Sequence, residues 1–82
     1  MTIKDLKIGE VALITKVDVS APLRLRLLDM GFIPNTVVKV QKIAPLGNPI
    51  QIQIRGYEIA IRKEDAEKIY VKKENKSKWY LP

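Results

Sequence analysis

The stretch Ile50-Gln51-Ile52-Gln53-Ile54-Arg55 places an apolar residue at every second position. Successive side chains of a strand point to opposite faces, so this segment is a strand with its isoleucines on a core and its polar residues in solvent. Before it lies Pro45-Leu46-Gly47-Asn48-Pro49, a rigid loop with proline at both ends. After it Gly56 permits a tight reversal into Tyr57 to Arg62, where Tyr57, Ile59 and Ile61 share a face. A chain of 82 residues makes one domain, and at this size only about 60–65% of the unfolded surface is buried. One half-buried strand in so small a core needs other strands beside it.

The rest of the chain supplies them. Leu6-Lys7-Ile8-Gly9-Glu10 has the make-up of an opening turn. From Glu10 to Val17 the chain alternates, with Val11, Leu13 and Val17 on one face and Ala12, Ile14 and Lys16 on the other. Ser20 is a good N-cap and Pro22 falls in a first helical turn, where its missing N–H costs nothing. The spacing predicts a helix from Ala21 to Met30, closed by Gly31 in a left-handed conformation. On that helix Leu23, Leu27 and Met30 form one stripe, while Leu25 and Leu28 fall almost opposite. A helix apolar on both sides is either fully buried or uses its second face on a partner; Arg24 and Arg26 would rim such a surface. In Ile33-Pro34-Asn35-Thr36, Pro34 fixes the first corner of a turn and Asn35 tolerates positive φ at the second. Thr36 to Ile43 is a second strand and Ile69-Tyr70-Val71 a last short one. Between them Glu64, Asp65 and Glu67 sit in a helical turn at Lys63 to Lys68, where acids suit the helix dipole; a metal site is the competing reading of the same trio.

Five short strands joined by tight Gly/Pro turns, with one helix inserted between the first two and a helical turn before the last, predict a mainly β fold closed into a small SH3-like barrel. Closure matters because free strand edges invite aggregation. The expected domain is 1–71, followed by a basic tail, 72–82.

Composition removes whole classes of chemistry. The chain has neither cysteine nor histidine, and with them go thiolate nucleophiles, imidazole bases, disulfides and the usual zinc or iron ligands. Ser20 and Ser77 have no imidazole to activate them, and no glycine-rich phosphate loop is present. An enzyme is therefore not expected, nor a cofactor, nor a selective metal site. Carboxylates such as Asp29, Glu58 and Glu64 to Glu67 would make only weak, unselective ligands for a transition metal. The net charge of +6 is uneven: Lys72, Lys73, Lys76 and Lys78 against Glu74 give the tail +3. That tail is a solvated end, an attraction to anionic lipid or an acidic partner, or, through Trp79, Tyr80 and Leu81, a small hydrophobic anchor. No apolar run approaches the ~20 residues of a membrane helix, and the N-terminal residues lack a signal-peptide core, so a cytosolic location is expected.

Three blocks go beyond generic turn chemistry: Leu25-Arg26-Leu27-Leu28-Asp29-Met30-Gly31-Phe32-Ile33-Pro34, Ala44-Pro45-Leu46-Gly47-Asn48-Pro49, and Gly56-Tyr57-Glu58-Ile59-Ala60-Ile61-Arg62. In this order and spacing the chain resembles the FeoA family, the small cytosolic component of bacterial ferrous iron transport, over roughly residues 3 to 71. One departure is Asn35, where the family usually has Gly; Asn is the residue best able to replace Gly at positive φ. The resemblance implies an SH3-like barrel without catalytic residues, working beside the membrane permease FeoB, whose cytosolic part hydrolyses GTP. A similar barrel ends DtxR-type metal-dependent repressors, but no winged helix precedes this one, so a DNA-binding repressor is not expected. The leading expectation is an accessory protein, recruited to the inner face of the membrane, that docks on the permease and modulates it. Arg24, Leu25, Arg26 and Leu28 are its expected contact residues, with the Pro45–Pro49 loop as a second candidate surface. Gly31, Pro34, Asn35, Pro45, Gly47, Pro49 and Gly56 are expected to shape the turns. Two other classes compete: a basic small barrel that binds nucleic acid, disfavoured by scattered aromatics, and a weak sensor of transition metal.

Overall fold

In a computed structural model the chain is described over residues 1–73, so Trp79, Tyr80, Leu81 and most of the basic tail lie outside the described residues. Five strands, β1 (Val11–Val17), β2 (Val37–Ile43), β3 (Ile50–Ile54), β4 (Tyr57–Ile61) and β5 (Ile69–Lys72), form one sheet in the order β4-β3-β2-β1-β5. Every neighbouring pair is antiparallel. Helix α1 (Ala21–Asp29) joins β1 to β2, and the single turn α2 (Lys63–Ala66) joins β4 to β5. This is the mainly β architecture, with its inserted helix and late helical turn, that the sequence predicts.

The isoleucines of β3 sit at its centre. Ile52 lies between Val40 of β2 and Ile59 of β4, and Ile54 between Val38 and Tyr57. Ile50, Ile52 and Ile54 are all buried, and Phe32, Ile14, Ile69 and Val38 complete the inner layer. No polar or charged side chain is buried among the described residues, so burying this core strands no polar group.

Two irregularities displace the simple alternation. Between Ile14 and Lys16 the pairing of β1 with β5 slips, leaving Thr15 as an extra residue. A bulge of this kind inverts the phase of the residues beyond it, because side chains repeat every two residues. Val17 therefore packs on the same core as Ala12 and Ile14, and not on the face of Val11 and Leu13 as uninterrupted alternation predicts. A second slip between Val40 and Lys42 leaves Gln41 unpaired in register.

The turns reflect the residues that make them. Thr36 N–H donates to Ile33 C=O at 3.1 Å across Pro34 and Asn35, and Asn35 has φ 73°. That is a type II turn, and Asn here does the work of glycine. The β3–β4 hairpin turns on Arg55 (φ 49°) and Gly56 (φ 82°), the type I′ geometry that suits strand twist. In the Pro45–Pro49 loop Gly47 N–H donates to Ala44 C=O at 2.7 Å, while Asn48 Oδ1 accepts the Lys63 N–H at 3.0 Å and so ties the loop to α2.

The N-terminal end holds more structure than an opening turn. Ile3–Asp5 form a 3-10 turn, with Thr2 N–H donating to Asp5 Oδ2 at 2.8 Å, and Ile3 and Leu6 are core residues. Val71 N–H donates to Met1 C=O at 2.9 Å, which fastens this end to β5. Nearby, Glu10 is bound by the Lys73 ammonium and accepts the Lys7 N–H, and both hold its carboxyl below the usual glutamate range, Lys73 foremost. A carboxyl with a lowered folded pKa adds stability above its unfolded pKa and loses that contribution as pH falls through the folded value. An NMR titration should find the Glu10 midpoint below that of an ordinary glutamate, and Lys73→Ala should raise it. A midpoint unmoved by Lys73→Ala would show that the ion pair has no hold on it in solution.

Candidate functional site

The outward face of α1 carries the residues expected to meet a partner. The helix starts at Ser20, whose backbone is extended and whose C=O accepts the Arg24 N–H at 2.8 Å; its hydroxyl forms no cap. The helix ends at Asp29, one residue earlier than the spacing predicts, with Met30 as its cap. Gly31 comes next at φ 97°; Gly31 N–H donates to Leu28 C=O at 3.0 Å and Phe32 N–H to Leu27 C=O at 2.9 Å. This is the Schellman arrangement, and Leu27 and Phe32 supply the buried apolar contact that accompanies it.

That closure sets which face looks outward. Leu27 is buried and Leu23 packs half-buried against the core, whereas Met30 at the end of the stripe is exposed. Leu25 and Leu28 are 63% and 41% exposed, so the second leucine face is open and not buried. Arg24 and Arg26 are exposed beside them, with no ion-pair partner among the described residues. The surface is two apolar side chains with Arg24, Arg26 and Asp29 exposed around them. The Pro45–Pro49 loop presents one further apolar side chain, Leu46, at 93% exposure.

The acidic trio disperses. Asp65 pairs with Arg62 at 3.0 Å, Glu67 with Lys4 at 3.2 Å, and Glu64 accepts from Asn48 Nδ2 at 3.4 Å. Each carboxylate turns to a different neighbour. Among the described residues no group of three or more His, Cys, Asp or Glu is placed to hold a metal ion. Tyr57 and Tyr70 are both exposed, but they stand on β4 and β5, at opposite ends of the strand order. Stacking recognition of single-stranded nucleic acid needs aromatics side by side. Among the described residues no helix is long and apolar enough to cross a membrane.

Comparison with known proteins agrees with the fold. The FeoA of Chlorobium tepidum, solved in solution, superposes with a TM-score of 0.88 at 35% identity, covering 92% of this chain and 71% of that one. The zinc complex of Stenotrophomonas maltophilia FeoA, described as an SH3 domain protein, gives a TM-score of 0.76 at 27% identity over 87% of this chain and 88% of that one. A protein of Porphyromonas gingivalis, an Fe(2+) transport protein A/Fe(2+) transporter FeoB fusion, is 37% identical over 71 residues, or 87% of this chain. The chain spans only 8% of that fusion protein's length. The FeoA domain model matches residues 1–73, and with the SH3-like fold and these identities it establishes that the chain belongs to the FeoA family.

Proposed function

We propose that this chain is a non-enzymatic accessory protein of ferrous iron uptake that docks on a FeoB-type permease through the outer face of α1 and modulates it. The observation that carries this reading is the Porphyromonas gingivalis protein, in which a domain 37% identical to this chain is joined to a FeoB transporter. Covalent linkage keeps two modules together at high effective concentration. A separate chain must achieve the same by affinity, which calls for a contact surface.

The outer face of α1 has the make-up of one. An apolar centre with polar side chains around it is the general layout of an interface, and arginine is among the residues enriched there. Leu25 and Leu28 would be the apolar anchors, and Arg24 and Arg26 would pair with acidic groups on the permease. Contact with the membrane then comes through the partner.

The test pairs capture of the permease's cytosolic portion with iron uptake by cells carrying both proteins. Leu25→Asp combined with Arg26→Glu should leave folding intact, because both residues are exposed, and weaken capture at least about tenfold, with uptake falling in step. A folded double variant with unchanged capture and uptake would reject this surface.

A further inference from the structure

We propose that the outer face of the sheet, together with the loop tips at the Lys42 end of β2, seats this chain directly on an anionic lipid surface. This contact is additional to any made through the permease. It uses none of the α1 residues and stands or fails apart from the docking reading.

Cross-strand partners share a face of a sheet. On the inner face Val38 pairs with Ile54 and Val40 with Ile52, and Leu27 of α1 packs into the same core. On the outer face Lys39 lies in a row with Gln53 and Glu58, Lys42 beside Gln51, and Lys16 beside Tyr70. Lys72 joins them opposite Leu13 but is engaged in a contact of its own. Lys16, Lys39 and Lys42 have no ion-pair partner among the described residues. Glu58 is the one carboxylate in these rows, at the β4 end, and accepts from Gln51 Nε2 at 3.3 Å.

At the Lys42 end of β2 two turns project apolar side chains. The Lys7–Glu10 turn runs alongside, with Gly9 N–H donating to Val40 C=O at 2.8 Å, and its Ile8 is 60% exposed. The Pro45–Pro49 loop follows β2, and its Leu46 is 93% exposed. The charges at these turns are Lys7, the Glu10–Lys73 pair, and Lys63 and Glu64, both bonded to Asn48 of the loop. Outer face and turns together hold seven basic side chains against three acidic ones; the rest of residues 1–73 holds six against five. The positive charge of the described chain is therefore one-sided.

Such a field attracts any polyanion, and the apolar tips choose among them. Exposed Ile and Leu beside lysines enter the boundary between headgroups and acyl chains while the lysines meet anionic headgroups. Single-stranded nucleic acid is held by stacking on aromatic side chains, and Tyr70 is the one aromatic in these rows.

The probe is flotation of the full chain with vesicles of phosphatidylcholine, alone or with a third of it replaced by phosphatidylglycerol. At about 0.1 M salt the anionic vesicles should bind at least about tenfold more tightly, and about 0.5 M salt should remove most of that preference. Lys39→Glu with Lys42→Glu should weaken binding by at least about tenfold. Leu46→Asp should weaken vesicle binding about fivefold and leave any binding to single-stranded RNA unmoved. Leu46 and Lys42 are exposed, so these variants should fold; if Lys39→Glu does not, Lys42→Glu with Leu46→Asp carries the test. Leu25→Asp with Arg26→Glu, which tests the permease surface, should leave vesicle binding unchanged.

Equal binding to neutral and anionic vesicles, or none to either, would overturn the proposal. Binding that survives both lysine reversals would also overturn it and assign the contact to residues 74–82, with Lys76 and Lys78. RNA bound more tightly than vesicles, with Leu46→Asp changing neither, would reassign the face to nucleic acid.

Discussion

Phe32→Ala is expected to cost about 3–5 kcal/mol of stability. Phe32 is fully buried and heads the largest buried side chains of the core. It lies immediately after the turn that closes α1, and its own N–H completes that turn by donating to Leu27 C=O at 2.9 Å. Truncation would open a cavity between the helix and the sheet, and it would remove the apolar contact that anchors the helix end. A domain of this size has roughly 4–12 kcal/mol of stability, so a single loss of this order takes between about a quarter of it and all of it. Urea unfolding should show the midpoint falling with little change in slope. Leu25→Ala is the control: at 63% exposure it should shift stability by about 0.5 kcal/mol or less. A Phe32→Ala loss below about 1 kcal/mol would mean that the helix and sheet are not held through this residue.

The contrast between Phe32 and Leu25 also shows what a sequence of this kind discloses. The isoleucines of β3 announce themselves because strict alternation has one structural meaning. Pro34, Asn35 and Gly56 announce their turns because each residue type limits φ in its own way. Likewise the two leucine stripes of α1 are legible as stripes, but which of them meets the core is decided by where Gly31 and Phe32 send the chain. Val17 lies beyond pattern alone, since the extra residue Thr15 leaves no mark of its own in the sequence. Ile3 and Leu6 escape for a related reason: a 3-10 turn of three residues has no periodicity to detect. Arg55 at φ 49° carries no side-chain signal for the left-handed region and takes it because the hairpin needs two such residues. The β4 edge is the clearest case. Glu58 and Ala60 look ordinary in sequence, and only the order of strands makes them the end of a sheet beside a helix.

Gly31 is where fold and candidate site meet, and Gly31→Ala is expected to weaken both. At φ 97° an L side chain is strained, at roughly 1–2 kcal/mol for the left-handed region. The added Cβ would also stand 2.3 Å from Arg55 Cδ, so the Arg55 side chain must leave its place over the helix end. Together these should lower stability by about 2–3 kcal/mol, which for a domain this small is a fall of roughly 10–20 °C in Tm. The two causes separate in a double-mutant cycle. Arg55→Ala removes the collision and leaves the backbone strain, so the pair Gly31→Ala/Arg55→Ala should lose less than the sum of the single changes. If the two substitutions prove additive, Arg55 does not confine the helix end. If Arg55→Ala restores stability completely, the left-handed backbone is not what glycine is needed for. Because Leu28 sits in the last turn before Gly31, the same substitution should weaken permease capture even in the fraction that remains folded, whereas Arg55→Ala alone should leave capture near its original level. That difference would tie the outward leucine face to one backbone conformation, and equal capture by both variants would break the tie.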